Sequence, residues 1–140
     1  MIKVNIGDGS GGGSSVKVTP QGELLTRQLK FGESQFQALD TINTAFNFFK
    51  PRAGERFIIT AALINTNKDI GVDGAIFDLY EADSETSTTI DKQLTKVSII
   101  KNDTISIPGT FMAVSQGKFL NGKTDDAIVN VTITGYYIDI

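Results

Sequence analysis

Cysteine, histidine and tryptophan are all missing from these 140 residues. Without cysteine there is no disulfide and no thiolate nucleophile. Without histidine as well, a Cys/His zinc site and a Ser-His-Asp triad are excluded. Stability must therefore come from core burial, from oligomerisation, or from both. The lack of tryptophan removes one common aromatic platform for sugars, although three tyrosines remain. No run reaches the ~18 continuous apolar residues of a membrane span. The opening Met1–Ile6 has no apolar h-region of a secretory signal. Thirteen basic against sixteen acidic residues leave a net charge of −3. That balance argues against the broad basic footprint of a nucleic-acid binder.

What is present reads as strand. The run Thr44–Thr66 carries two apolar segments separated by Lys50-Pro-Arg-Ala-Gly54. Pro51 removes a ladder donor and Gly54 accepts positive φ, so a turn is expected there. Period-2 alternation puts Phe46 and Phe48 on one face of the first strand and Asn47 and Phe49 on the other. In Arg56–Asn65 both faces are apolar. Phe57, Ile59, Ala61 and Leu63 lie on one, and Ile58, Ala62 and Ile64 on the other. Such a strand needs cover on both sides, at the centre of a sandwich or at a subunit contact.

Upstream, Met1–Ile6 alternates like a short strand, and a Gly/Ser run follows to Ser15. Gly7, Gly9 and Gly12 satisfy G-x-G-x-x-G. The β-branched residues and Pro20 that come next do not open a phosphate-binding helix, so the run reads as a flexible tether. Ser15–Thr19 is expected as a second short strand, and Gln35–Leu39 as a strand or a single helical turn. Further strands are expected over Gly74–Glu81, Lys92–Ile100, Thr104–Ile107, Phe111–Val114, Lys118–Leu120 and Val129–Tyr137, with Pro108-Gly109 as a turn. Ala82–Ile90, rich in Ser, Thr, Asp and Glu, reads as a surface loop. Gly135 interrupts the apolar row of the last strand and marks a bulge or close packing. Short strands at this spacing argue for an all-β fold, a jelly-roll-like β-sandwich over residues 20–140, with a glycine-rich N-terminal arm over residues 1–19.

Four oxygen ligands fall at Asn65, Asn67, Asp69 and Asp73. An EF-hand loop counted from Asn65 would need Gly and Glu where Ile70 and Ile76 stand. A polar hairpin loop is the simpler reading, and Asp125-Asp126 reads as the start of a strand. No metal or cofactor is expected. Without His or Cys the remaining acid/base groups are carboxylates, lysines and tyrosines. A two-carboxylate site or a Ser-Lys dyad stays formally open, but nothing singles out a pair, and no enzymatic activity is expected. Phe49, placed opposite the face shared by Phe46 and Phe48, is a candidate interface residue, because monomers seldom leave large apolar patches wet. Ile2, Val4 and Ile6 join it, as the alternating side of a strand able to add to a neighbour's sheet edge. The competing reading is an arm that is loose or folds back on its own subunit.

From Thr44 to Tyr137 the chain resembles small β-rich structural proteins of tailed bacteriophages, some of them capsid decoration (cement) proteins. The resemblance rests on AFNFFKPRAGERFIITAALINTNKDIG (Ala45–Gly71), DGAIFDLYEADS (Asp73–Ser84) and KTDDAIVNVTITGYYI (Lys123–Ile138). These are packing and turn patterns over about two thirds of the chain, not catalytic motifs. The resemblance implies a virion protein on the outer capsid surface, assembled in the host cytoplasm. It also implies a homotrimer bound to the major capsid protein, with neither nucleic acid nor membrane as partner. The alternative is a fibre, neck or tail module that binds a host-surface carbohydrate or receptor through Asn67, Asp69, Asp125 and Tyr136.

Overall fold

A computed structural model describes residues 3–5, 15–17, 32–66, 75–99, 104–126 and 129–140. Ten strands follow in order: β1 Lys3–Asn5, β2 Ser15–Lys17, β3 Glu33–Leu39, β4 Phe46–Phe49, β5 Glu55–Asn65, β6 Ala75–Ala82, β7 Lys92–Ile99, β8 Thr104–Ala113, β9 Phe119–Thr124 and β10 Val129–Asp139. Among the described residues there is no helix, and Gln35–Leu39 belongs to a strand rather than a helical turn. The last eight strands form two antiparallel four-stranded sheets, ordered β3-β10-β5-β8 and β4-β9-β6-β7.

That order follows from one folded ribbon. β3 pairs with β10, β4 with β9, β5 with β8, and β6 with β7, each pair nested inside the one before. Wrapping the ribbon then brings β10 against β5 and β6 against β9. Two sheets made this way are a jelly roll, as the spacing of the strands implied. The sheets close on a shared core that includes Phe48, Phe57, Ile59, Phe77, Leu79, Leu120, Val131 and Ile133. Each such side chain contributes roughly 1.5–3 kcal/mol by leaving water.

Turn chemistry holds where backbone geometry demanded it. Gly54 adopts φ 71°, and the Glu55 N–H closes the turn on the Arg52 carbonyl at 3.1 Å. At Gly135 the reason is space. A Cβ there would stand 2.1 Å from the Ile58 carbonyl oxygen and 2.6 Å from the Phe57 ring. The β10–β5 register also shifts at Thr134/Gly135, so bulge and close packing coincide.

Two local expectations change, and the pairing of a third segment becomes defined. Pro108-Gly109 does not end a strand. β8 runs through it, on a sheet edge, where a residue without an N–H is tolerated. β5 is not uniformly two-faced. Thr60 is skipped in the pairing with both neighbours, so the inward set changes phase from Phe57 and Ile59 to Ala62 and Ile64. Finally, β1 pairs with β2 within the arm, Val4 opposite Val16, in a two-stranded sheet of its own.

Candidate functional site

The phase change in β5 determines what the outer face of the β3-β10-β5-β8 sheet presents. Directly paired residues share a face, so the registers define rows across it. Phe36, Thr132, Leu63 and Ser106 make one row. Ala38, Asn130, Asn65 and Thr104 make the next, and Ser34, Thr134 and Ala61 a third. Tyr136, Ile58 and Ala113 complete the series. None of these described residues carries a charge. Phe36 is 60% exposed and Leu63 43%, on either side of Thr132. Polar groups here bond mainly along the sheet. The Ser34 and Thr134 hydroxyls lie 2.8 Å apart, and the Thr60 hydroxyl donates to the Thr134 carbonyl at 3.1 Å. The first charged residue along the face is Arg56, opposite Ile138.

The outer face of the other sheet is built differently. Asp78 stands between Lys96 and Lys123 in a charged cross-strand row. Residues 83–91 are tied to the polar groups of this sheet. The Tyr80 hydroxyl donates to the Ser87 carbonyl at 2.8 Å. Asn121 donates to the Ser84 and Ser87 carbonyls at 2.9 and 3.2 Å, and accepts from Asn47 at 2.9 Å. Lys123 donates to the Thr88 carbonyl at 2.9 Å, with its ammonium 5.5 Å from the centre of the Tyr80 ring. Tyr80 and Asn121 are consequently fully buried. Burial pushes the Tyr80 phenol up to about 12, because a phenolate there would lose its hydration.

The end of the sandwich near β6 holds the other ionisable cluster. Glu81, 2% exposed, accepts from the Ser115 N–H and hydroxyl at 2.8 and 3.0 Å. Lys118 pairs with Asp83 and, at 2.8 Å, with Asp91. That ammonium holds the Asp83 carboxyl below the usual carboxylate range. The acids here are thus neutralised by a lysine and by backbone donors. Among the described residues no group of three or more His, Cys, Asp or Glu is placed to hold a metal ion.

A polar cleft of about 420 Å³ opens beside β3 and β4, walled by Glu33, Gln35, Asn47, Lys50, Arg52 and Tyr137 among others. Arg52 lies 3.7 Å over the Tyr137 ring and donates to both Glu33 carboxylate oxygens, at 2.9 and 3.2 Å. The Tyr137 hydroxyl donates to the Lys50 carbonyl at 2.7 Å. The cleft has hydrogen-bonding walls suited to a small polar molecule, with its cation and carboxylate already paired.

The residues singled out in the sequence do not gather at one place. Phe49 is inside, 6% exposed, its ring stacked 3.8 Å from Phe57 and edge-on to Tyr137. The register shift between Asn47 and Phe49 turns both Phe48 and Phe49 inward, so simple alternation misplaces it. Its ring is already covered within the chain. Asp125 sits just beyond β9 and accepts from the Ile76 N–H at 2.6 Å, which commits that oxygen to the strand end. Tyr136 lies on β10 in the other sheet, seven positions past Val129, or roughly 23 Å along the strand. The two are not brought together. Asn67, Asp69, Ile2 and Ile6 lie outside the described residues. Val4 is in β1, whose one edge is used by β2.

Sequence reasoning missed Phe36 and Leu63 as surface residues. In β3 the polar Gln37 points across to the Asn47 carbonyl, and the aromatic residue points out, an inversion of the usual pattern. The available signal was the excess of apolar residues on β5.

Fold and faces together define a jelly-roll β-sandwich with one sheet tied to its own loop and the other, among the described residues, without such a tie. The chain matches no protein-family model, and no curated protein is significantly similar to it.

Proposed function

We propose that this chain is a structural subunit of a bacteriophage particle, a decoration or cement protein on the head shell. It acts through non-covalent contacts with copies of itself, as a trimer in the assembly the resemblance implies, and with the major capsid protein. Reinforcement comes from buried interface area, with no covalent step. The observation that carries this reading is the run of uncharged rows on the outer face of the β3-β10-β5-β8 sheet, with Phe36 60% and Leu63 43% exposed. Apolar side chains gathered on one wet face characterise interaction surfaces. Jelly rolls are also a recurrent architecture of viral shell proteins.

Copy number in purified particles tests it. Hundreds of copies, with purified chain rebinding to particles stripped of it, is the expected result. Absence from particles overturns the reading. A handful of copies moves the protein to a vertex, neck or tail. The polar cleft beside β3 and β4 supports a second reading, a module that binds a host-surface carbohydrate. A glycan-array signal that disappears in Gln35→Ala would favour it.

A further inference from the structure

We infer that the outer face of the β3-β10-β5-β8 sheet docks a second copy of this chain. The inference rests on the reading of the protein as a contact-making subunit and assigns one surface to two-fold self-association, a contact distinct from any that closes a trimer. Charge is the first reason. The chain carries a net charge of −3, so two copies repel at long range and meet most easily where neither presents a charge. None of the described residues in the rows through Thr132, Thr134, Asn130 and Tyr136 is charged. A face without charge is complementary to itself, whereas a charged row such as Lys96–Asp78–Lys123 needs a particular offset to avoid like-charge contacts.

Area is the second reason. Four strands at ~4.8 Å and seven to eleven residues at ~3.3 Å give a face of about 450–700 Å². Two such faces bury on the order of 900–1,400 Å², around the ~1,000 Å² that a specific interface should clear. Phe36 and Leu63 flank Thr132 near the middle and supply the apolar anchor. An interface near the lower end of the specific range is expected to be weak in solution and tightened when the copies are also held on a particle.

Sedimentation of the full chain across a dilution series tests the inference, with Phe36→Lys/Leu63→Lys and the milder Phe36→Thr/Leu63→Thr as variants. Threonine suits a strand, so the second pair keeps the fold if lysine does not. The wild-type chain is expected to sediment as a multiple of the monomer mass and to dissociate on dilution. Both variants should weaken that association by at least about tenfold. A monomeric wild type, or an oligomer unmoved by the threonine pair, overturns the inference. So does a variant whose melting temperature falls with no change in mass, which would mean that the chain's own remaining residues cover the face. Particle rebinding is measured in parallel. A monomeric wild type that still rebinds, with binding lost in the variants, hands the face to the shell and leaves the proposed function standing. An oligomer that is absent from particles does the reverse.

Discussion

The outer faces of the two sheets meet the same requirement in opposite ways. On the β4-β9-β6-β7 side, Tyr80, Asn121 and Lys123 bond to the backbone of residues 83–91. These three groups are thereby satisfied within the chain, which keeps their burial from being a net cost. On the β3-β10-β5-β8 side the outward groups through the middle rows are hydroxyls, the Asn65 and Asn130 amides and apolar side chains, and Phe36 and Leu63 stay wet. Cover from within is specific and polar. The other face is uncharged through its middle rows, with Phe36 and Leu63 exposed among hydroxyls and amides. The comparison separates residues committed to contacts within the chain from residues left exposed to solvent.

The largest effect should come from Gly135→Ala, which strikes the core beneath the bare face. The added Cβ would stand 2.1 Å from the Ile58 carbonyl oxygen and 2.6 Å from the Phe57 ring, so the β5 backbone and a core ring must both shift. A loss of about 3 kcal/mol is expected, read as a lower midpoint in urea. A change under about 1 kcal/mol would show that β10 can shift along β5.

Alkaline pH should come next. The folded state raises the Tyr80 phenol to about 12, while the unfolded chain ionises near 10. The stability it contributes is therefore fully present below about pH 10 and lost as pH rises toward 12, by roughly 2–3 kcal/mol. Tyr80→Phe should flatten that window. An unchanged alkaline slope would mean that the loop does not seal the ring.

Asn121→Ala removes the amide that ties residues 83–91 to the sheet through the Ser84 and Ser87 carbonyls and that accepts from Asn47, leaving Ser87 held by Tyr80 and Asn47 by the Phe49 and Leu120 carbonyls. We expect a cost of about 2 kcal/mol and faster amide exchange across that loop. The matching change on the bare face, Leu63→Thr, should cost the monomer no more than about 1 kcal/mol, because Leu63 is 43% exposed. Its mark should instead be a melting temperature that no longer rises with protein concentration. Equal costs for the two changes would erase the distinction between the faces.

Smallest of all is Asp83→Asn. The Lys118 ammonium depresses the Asp83 carboxyl, so this ion pair stabilises the fold above the ordinary carboxylate pKa and weakens as pH falls through the depressed value. Because Asp83 is solvent-exposed, the difference between wild type and variant should be slight and confined to neutral pH, vanishing in acid.

Much of the architecture was legible in the chain itself. Alternation in Val129–Tyr137, the turn at Gly54 and the loop after β6 were each read in place, because period-2 burial and positive φ leave direct marks on residue type. Phe36 and Phe49 were not. Alternation assumes an unbroken pleat, and both residues depend on what the neighbouring strand does. Phe49 turns inward at a register shift against β9, and Phe36 turns outward because Gln35 and Gln37 line the polar cleft side of β3.

Local composition therefore determined that the protein is all-β, free of thiols and imidazoles, and built from short strands with a glycine-rich arm. Pairing between distant strands decided the rest. A one-residue bulge at Thr60 moves every later side chain of β5 to the opposite face. No local pattern encodes it, since the extra residue is defined only by the partners that skip it. Which side chains of β5 the β3-β10-β5-β8 sheet turns outward is settled by that count.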